Sequence, residues 1–337
     1  MVNPDLIERM TGLVTGSWAT QAIGVAASLG VADHLGDRPR TADEVAAAVD
    51  ADPDALYRLL RALSGLGVVE ESDGRRFTLT ELGGLLRRDT PESLRGIAVM
   101  FASPWHRRSW TELEECVRTG ESAFVRLFDG WNYFSEHPEA GEVFSEAMTS
   151  AARVLLLPAV QAYDFGRFGT VVDVAGGHGI LLAVTLPGTP GARGILFDRP
   201  EVIRGAGTLL RQAGVADRCE LVGGDFFESV PAGGDAYVLS QIIHDWGDDE
   251  AVRILANCRA AMNDGGHVLL CEAVVPEAFN SPGLTTMMDL EMLVMAEGAR
   301  QRTREEFEEL FRRADLRLET VVGPDAPVSI LDAVARS

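Results

Sequence analysis

The sequence predicts an α/β protein, with a doubly wound sheet in its C-terminal half and a mostly α-helical N-terminal region containing a winged helix. Three observations carry this. After residue 170 short apolar runs alternate with helical patterns, the rhythm of a parallel sheet. The first run, Thr170-Val-Val-Asp-Val174, breaks into Ala-Gly-Gly-His-Gly179, which reads as a strand entering a nucleotide-binding turn. Upstream, residues 41–80 read helix, turn, helix, hairpin. The expected division is a helical and winged-helix region over 1–90, a helical linker over 91–165 and a Rossmann-like domain over 166–337.

A chain of 337 residues with 46% hydrophobic and 24% charged content is ordinary for a globular protein of two domains. Its formal charge of −21 opposes nucleic acid or an anionic membrane as partner, because phosphate binding is built from surplus Lys and Arg. Cys116, Cys219, Cys258 and Cys271 are scattered, as small apolar residues of a reducing compartment are, so a cytoplasmic location is expected. No charge occurs between Arg9 and Asp33, a stretch long enough to cross a bilayer. Thr, Ser, Gln and Gly punctuate it, and no basic segment precedes it. It is read as helices buried against a second copy of the chain, giving a homodimer.

Thr41-Ala-Asp-Glu44 is a capping box opening a short helix. Asp52-Pro53 caps the next, whose apolar face is Leu56, Leu59, Leu60 and Leu63. A hairpin turns at Ser72-Asp-Gly74. A winged helix suggests DNA, but residues 41–86 hold nine acids and four bases, a poor phosphate reader. A structural role is preferred. Residues 90–165 are helical and rich in Met, Phe and Trp, including Met100, Phe101, Phe144 and Met148, suited to core or to the wall of a substrate pocket. Strands are expected at 171–175, 194–198, 219–222, 235–240, 267–272 and 317–321. Helices are expected at about 249–262 and after the capping box Thr303-Arg-Glu-Glu306.

The glycine turn decides the ligand. A dinucleotide fingerprint reads G-x-G-x-x-G, yet the position after Gly177-x-Gly179 that should be glycine is Leu182. Asp173 lies inside the strand. A carboxylate beside Gly176 and Gly177 repels a pyrophosphate and suits a ligand carrying an ammonium group, so S-adenosylmethionine fits better than NAD. Asp198 ends the second strand about twenty residues on, where a carboxylate can take both ribose hydroxyls. Asp225 and Phe226, after the third strand, could hold and stack an adenine; each acid could instead be a helix cap.

His244 lies just past the fourth strand, facing the crevice at the carboxyl ends of the strands, where an imidazole of pKa near ~6.5 is a competent base. Asp245 and Trp246 beside it offer a polar orienter, able to contact a substrate, and a flat apolar wall. Glu272 ends the fifth strand after two leucines, an unusual place for an unpaired acid and within reach of His244. His106 is an open candidate for substrate contact; His34, His137 and His267 belong to no constellation. No group has metal-ligand spacing, so no metal is expected.

Together these residues resemble the plant-type small-molecule O-methyltransferase family in its bacterial natural-product branch. Val171-Asp-Val-Ala-Gly-Gly-His-Gly179 resembles the family's V-D-V-G-G-G-x-G, Phe197-Asp-Arg-Pro-Glu-Val202 its F-D-L-P-x-V, Gly223-Gly-Asp-Phe-Phe227 its G-G-D-M/F-F, and Ile243-His-Asp-Trp246 its L/I-H-D-W. The resemblance implies a homodimer and S-adenosylmethionine with no metal. It implies His244 as general base and Glu272 as the acid that orients it. Ser240 and Trp246 would be further cofactor contacts; Met100, Phe101, Phe144, Met148 and Met292 fall on substrate-wall positions. The implied activity is methylation of a hydroxyl on an aromatic natural-product intermediate. Two positions depart from the pattern. Ala175 replaces the first glycine, at little cost if its torsions are strand-like. Gln301 stands where the family has a second acid supporting the base; an amide accepts a hydrogen bond but cannot stabilise imidazolium by charge. Gln301 keeps a non-methylating relative (a decarboxylase, hydroxylase or pericyclase) open as an alternative, and the winged helix keeps open a regulator.

Overall fold

The computed structural model describes residues 3–36, 38–276, 284–323 and 326–336. By contact density the chain separates into two compact units. One holds Met1–Arg108 with His137–Ala151, the other Ser109–Glu136 with Ala152–Ser337.

In the first unit the uncharged run is spread over three helices that extend beyond it at both ends, Pro4–Val14, Gly16–Leu29 and Val31–Leu35. The second ends at Gly30, whose φ of 72° is left-handed and costs glycine nothing. Its 14 residues span about 21 Å at 1.5 Å each, short of a ~30 Å hydrocarbon core. Gly24 lets this helix lie against Arg95–Ala102, since a Cβ there would collide with Ala102. Thr41 and Glu44 form the expected capping box, and Asp52 caps Pro53–Gly65 through the Ala55 amide. Leu35, Val45, Leu56, Leu60, Leu63 and Phe77 make the core of this unit; Leu59 is only half-buried. The wing hairpin, β2 (Val69–Ser72) and β3 (Arg76–Leu79), gains a third strand that sequence reasoning missed, β1 (Arg40–Thr41), paired with β3.

The second unit is built on a seven-stranded sheet. Its strands are β4 (Thr170–Val174), β5 (Arg193–Asp198), β6 (Cys219–Gly223), β7 (Gly234–Ser240), β8 (Met262–Glu272), β11 (Leu316–Val322) and β12 (Ser329–Ala335). A two-stranded parallel ladder joins β9 (Val274–Val275) to β10 (Arg302–Thr303). The order across the large sheet is β6-β5-β4-β7-β8-β12-β11. From β6 to β8 every pair is parallel; β12 runs antiparallel to both β8 and β11. The order reverses between β4 and β7, so the crevice beyond their carboxyl ends is where such sheets bind ligands. Apolar clusters cover both faces, with Leu181, Leu182 and Leu210 on one and Ile254, Leu255, Phe307 and Phe311 on the other. The β12 strand escaped the sequence reading because a run buried on both faces has no period of two. The expected helices form at Asp248–Ala261 and Arg304–Arg313, the latter under the Thr303/Glu306 capping box.

Candidate active site

The glycine turn follows β4 directly. Gly176 must lack a side chain, because a Cβ would collide with Asp173 and Leu196. Gly177 takes φ of 57°, and its amide donates to Asp198 Oδ2 at 2.8 Å. The condition for a cheap Ala175, strand-like torsions, is not met: its φ is 56°, in the left-handed region that costs a residue with a Cβ about 1–2 kcal/mol.

Asp173 is 1% exposed, and neither of its carboxylate oxygens has a hydrogen-bond partner. Burial, reinforced by the charge of Asp198, pushes its pKa up to about 8. Asp198 Oδ1 accepts from the Arg199 amide at 2.6 Å; burial raises its pKa too, against the two backbone donors. A buried carboxyl lacking any partner, with a half-buried one beside it, fits a ligand carrying positive charge, as S-adenosylmethionine does at its sulfonium and ammonium groups. Phe226, Phe227 and Trp246 cluster edge to face, with centroids 4.7–5.6 Å apart. Asp225 is exposed, and its Oδ1 accepts from the Phe227 amide at 2.8 Å, a local turn. Ser240 ends β7, half-buried.

His244 sits in a 3-10 turn, Ile243–Asp245, just past β7. It is 6% exposed. Its Nδ1 lies 2.6 Å from Oε2 of Glu272, which is fully buried at the end of β8. Glu272 Oε1 also accepts from the amides of Ile242 and Ile243 at 3.1 and 2.8 Å. The other ring nitrogen, Nε2, lies 3.4 Å from Asp245 Oδ1. Burial by itself disfavours imidazolium, but the charges of Glu272 and Asp245 and the Glu272 hydrogen bond outweigh it, leaving His244 pushed up to about 9. That corrects the ordinary value near ~6.5 expected from sequence. Asp245 is pushed up to about 6 by burial, with His244 pulling it down.

Gln301 is 5% exposed; its amide donates to Asp289 Oδ1 at 2.8 Å, and its side-chain Oε1 has no hydrogen-bond partner. The second carboxylate beside the imidazole is therefore Asp245. Met292 is buried with Ala296 and Ala299. Met100, Phe101, Phe144 and Met148 all belong to the first unit. Of these Met100 is buried and Met148 exposed, and the Phe101 ring lies 4.9 Å from that of buried His106.

Sequence reasoning missed three residues around the base. Gln241, at φ of 57°, donates from Nε2 to Cys271 O and Glu272 Oε2. Asp289 ties the 299–301 stretch to the helix Thr285–Met295. Arg302 is a fully buried guanidinium bonded to the turn that carries His244. The only signal for it in the sequence is its place directly between Gln301 and the capping box at Thr303. The expectation that His267 belongs to no constellation is also wrong. Its Nδ1 lies 2.7 Å from Asp332 Oδ1, and Glu319 completes a trio of groups able to ligate a metal. Arg167 Nη2 sits in the same cluster, 2.7 Å from Asp332 Oδ2.

Comparison with known proteins now bears on this geometry. The model of an O-methyltransferase domain matches residues 110–317, and that of an O-methyltransferase dimerisation domain matches 11–89. The phenazine O-methyltransferase PhzM of Lysobacter antibioticus is 44% identical over 95% of this chain and 94% of its own length. The 8-amino-8-demethylriboflavin N,N-dimethyltransferase of Streptomyces davaonensis is 37% identical over 86% of this chain and 84% of its own. The O-methyltransferase NcsB1 from neocarzinostatin biosynthesis, solved with S-adenosylmethionine and 2-hydroxy-5-methyl naphthoic acid, superposes with a TM-score of 0.78. It is 34% identical, over 94% of this chain and 96% of that one. A domain model covering more than half the sequence, with relatives matched along nearly its whole length, places this chain in the O-methyltransferase family.

Proposed function

We propose that the chain transfers a methyl group to a hydroxyl of an aromatic, phenolic or polyketide-like natural-product intermediate, with His244 as general base. The observation that carries the reading is the buried His244–Glu272 pair at 2.6 Å, at the carboxyl end of the sheet. When bound, S-adenosylmethionine supplies the methyl group on a positively charged sulfonium and leaves as S-adenosylhomocysteine. Asp173 and Asp198 would hold its charged and ribose ends, while Phe226 and Trp246 would flank its base. Met100, Phe101, Phe144, Met148 and Met292 would wall the acceptor.

Glu272 holds Nδ1, so Nε2 is the nitrogen that takes the hydroxyl proton, in the place where Asp245 now sits. A base of pKa about 9 and a phenol near ~10 are nearly matched, so the proton moves with little driving-force penalty. The neutral imidazole is the minor form at pH 7, and turnover should therefore rise with pH toward 9.

Support for an O-acceptor comes from the phenazine relative; the riboflavin relative names an N-acceptor, so the methylated atom must be identified in the product. Residues 1–90 would form the homodimer, 91–165 would line the pocket and 166–337 would hold the cofactor, in the cytoplasm. The deciding experiment is His244→Ala. Loss of a general base costs 10²–10⁴-fold, with affinity for S-adenosylmethionine nearly unchanged. Retention of more than about a third of turnover, far inside that range, would remove His244 from the role. The partnerless oxygen of Gln301 favours one rival, a non-methylating relative on the same scaffold; S-adenosylhomocysteine formed in step with methylated product excludes it.

A further inference from the structure

Among the described residues, Arg302 is the largest side chain that is wholly buried. A buried guanidinium is rare unless its donors are spent on something specific. Here Nη1 donates to the Ile243 carbonyl at 2.9 Å and Nη2 to the Trp246 carbonyl at 2.7 Å. Those two carbonyls bracket His244 and Asp245. The Arg300 amide donates to the carbonyl of His244 itself at 2.9 Å. Nε and Nη2 complete the fork on Asp248 Oδ1, at 3.1 and 2.7 Å. Arg302 is itself anchored, because β10 pairs Arg302 with Val274, two residues past Glu272. One short strap thus registers the turn bearing His244 against the strand bearing Glu272.

We propose that Arg302 is a positioning residue for His244: its guanidinium clamps both sides of the turn and so holds the imidazole on Glu272. The reaction's demand for this is geometric. A displacement of about 1 Å at a reacting group can cost 10²-fold, and a 3-10 turn has only short-range bonds of its own. The charged groups around the ring are Glu272 from β8, Asp245 on its own turn and Arg302 from β10. Asp248 is half-exposed and can be answered by water, whereas the fork gives the Ile243 carbonyl a bond of 2.9 Å beside a long one of 3.4 Å from the Trp246 amide, and gives the Trp246 carbonyl one of 2.7 Å.

The inference rests on His244 as base, and its test is read without an acceptor so that the two can fail separately. The imidazole of His244 is titrated by NMR in protein labelled with 13C-histidine, the signal being assigned by its loss in H244A. In Arg302→Met the turn is released, the ring leaves Glu272, and the titration should fall from about 9 toward the ordinary ~6.5. Affinity for S-adenosylmethionine, measured by calorimetry alongside, should fall only modestly, since the fork bonds the backbone carbonyl of Trp246 and no side chain proposed to hold the cofactor. Arg302→Lys keeps the charge without the fork and should fall part of the way; it also serves if the methionine variant does not fold. Asp248→Asn leaves the carbonyl bonds in place and should leave the titration near that of the wild type. An unchanged or higher titration in R302M overturns the proposal, because the loss of a nearby cation without any release of the turn can only raise it. The same result in R302K overturns it if R302M is insoluble.

Discussion

At the scale of single residues, Ala175 and Asp173 each carry an energetic cost beside the glycine turn. Ala175 at φ 56° is a strained residue with a partner: its amide donates to the Phe197 carbonyl at 2.7 Å. Ala175→Gly relieves about 1–2 kcal/mol of strain and gives back about 0.4–1 kcal/mol through a looser unfolded chain. The melting temperature should therefore rise by a few degrees at most, and calorimetry that finds a fall would refute the strain. Asp173 and His244 both bind protons more tightly folded than unfolded. Between the unfolded and folded pKa values the native state holds the extra proton, so stability is lost as pH rises. For Asp173 the loss runs from about 4 up to 8; for His244 from about 6.5 up to 9. The melting temperature of the ligand-free protein should decline from pH 6.5 to 9, and Asp173→Asn should flatten the part below 8. A flat wild-type profile over that range would contradict both shifts. These residues were legible as site members because acids beside glycines, and a histidine past a strand, are unusual. Their charge states were not, because burial and the closeness of Asp198, Glu272 and Asp245 exist only in three dimensions.

At the scale of elements, caps and turns were read well and shared supports were not. Both capping boxes are local patterns within four residues, so Thr41/Glu44 and Thr303/Glu306 could be placed from sequence alone. Thr303 accepts from the Glu306 amide at 3.3 Å while Glu306 Oε2 accepts from the Thr303 amide at 2.8 Å. Thr303→Ala should cost about 1 kcal/mol, about 2–4 °C for a unit of this size. A change below half a degree would mean that packing of Phe307, Leu310 and Phe311 alone sets this helix. Arg302 lies one residue earlier, and its role depends on carbonyls nearly sixty positions away; no periodicity reports that. The paired strand Arg40–Thr41 was hidden for a similar reason, being two residues long and defined only by its neighbour β3.

At the scale of the whole molecule, the fold class was legible because the alternation after residue 170 repeats several times, while the uncharged N-terminal run needed a partner to make sense. Leu13, Val14 and Trp18 are 69, 73 and 74% exposed, an apolar face larger than isolated surface residues explain. The dimerisation domain matched over 11–89 covers this face. The protein should be a homodimer by light scattering at micromolar concentration, and Leu13→Glu with Trp18→Glu should shift it to monomer with the second unit still folded. A stable wild-type monomer would leave the face unexplained. The position of β12 has a further consequence, one of timing. Its residues Ser329 to Ala333 are buried, and it lies between β8 and β11. A ribosome delivers it after every other strand of the sheet, so β8 must wait with an open edge while β11 is already made, and no amount of early folding can close the sheet before Ala335 has been added. An open strand edge is an invitation to pair with other chains, so the nascent protein is exposed to aggregation in the interval between the synthesis of β8 and that of β12. Synonymous changes that slow synthesis of residues 329–335 would lengthen that moment and leave the finished enzyme as it is.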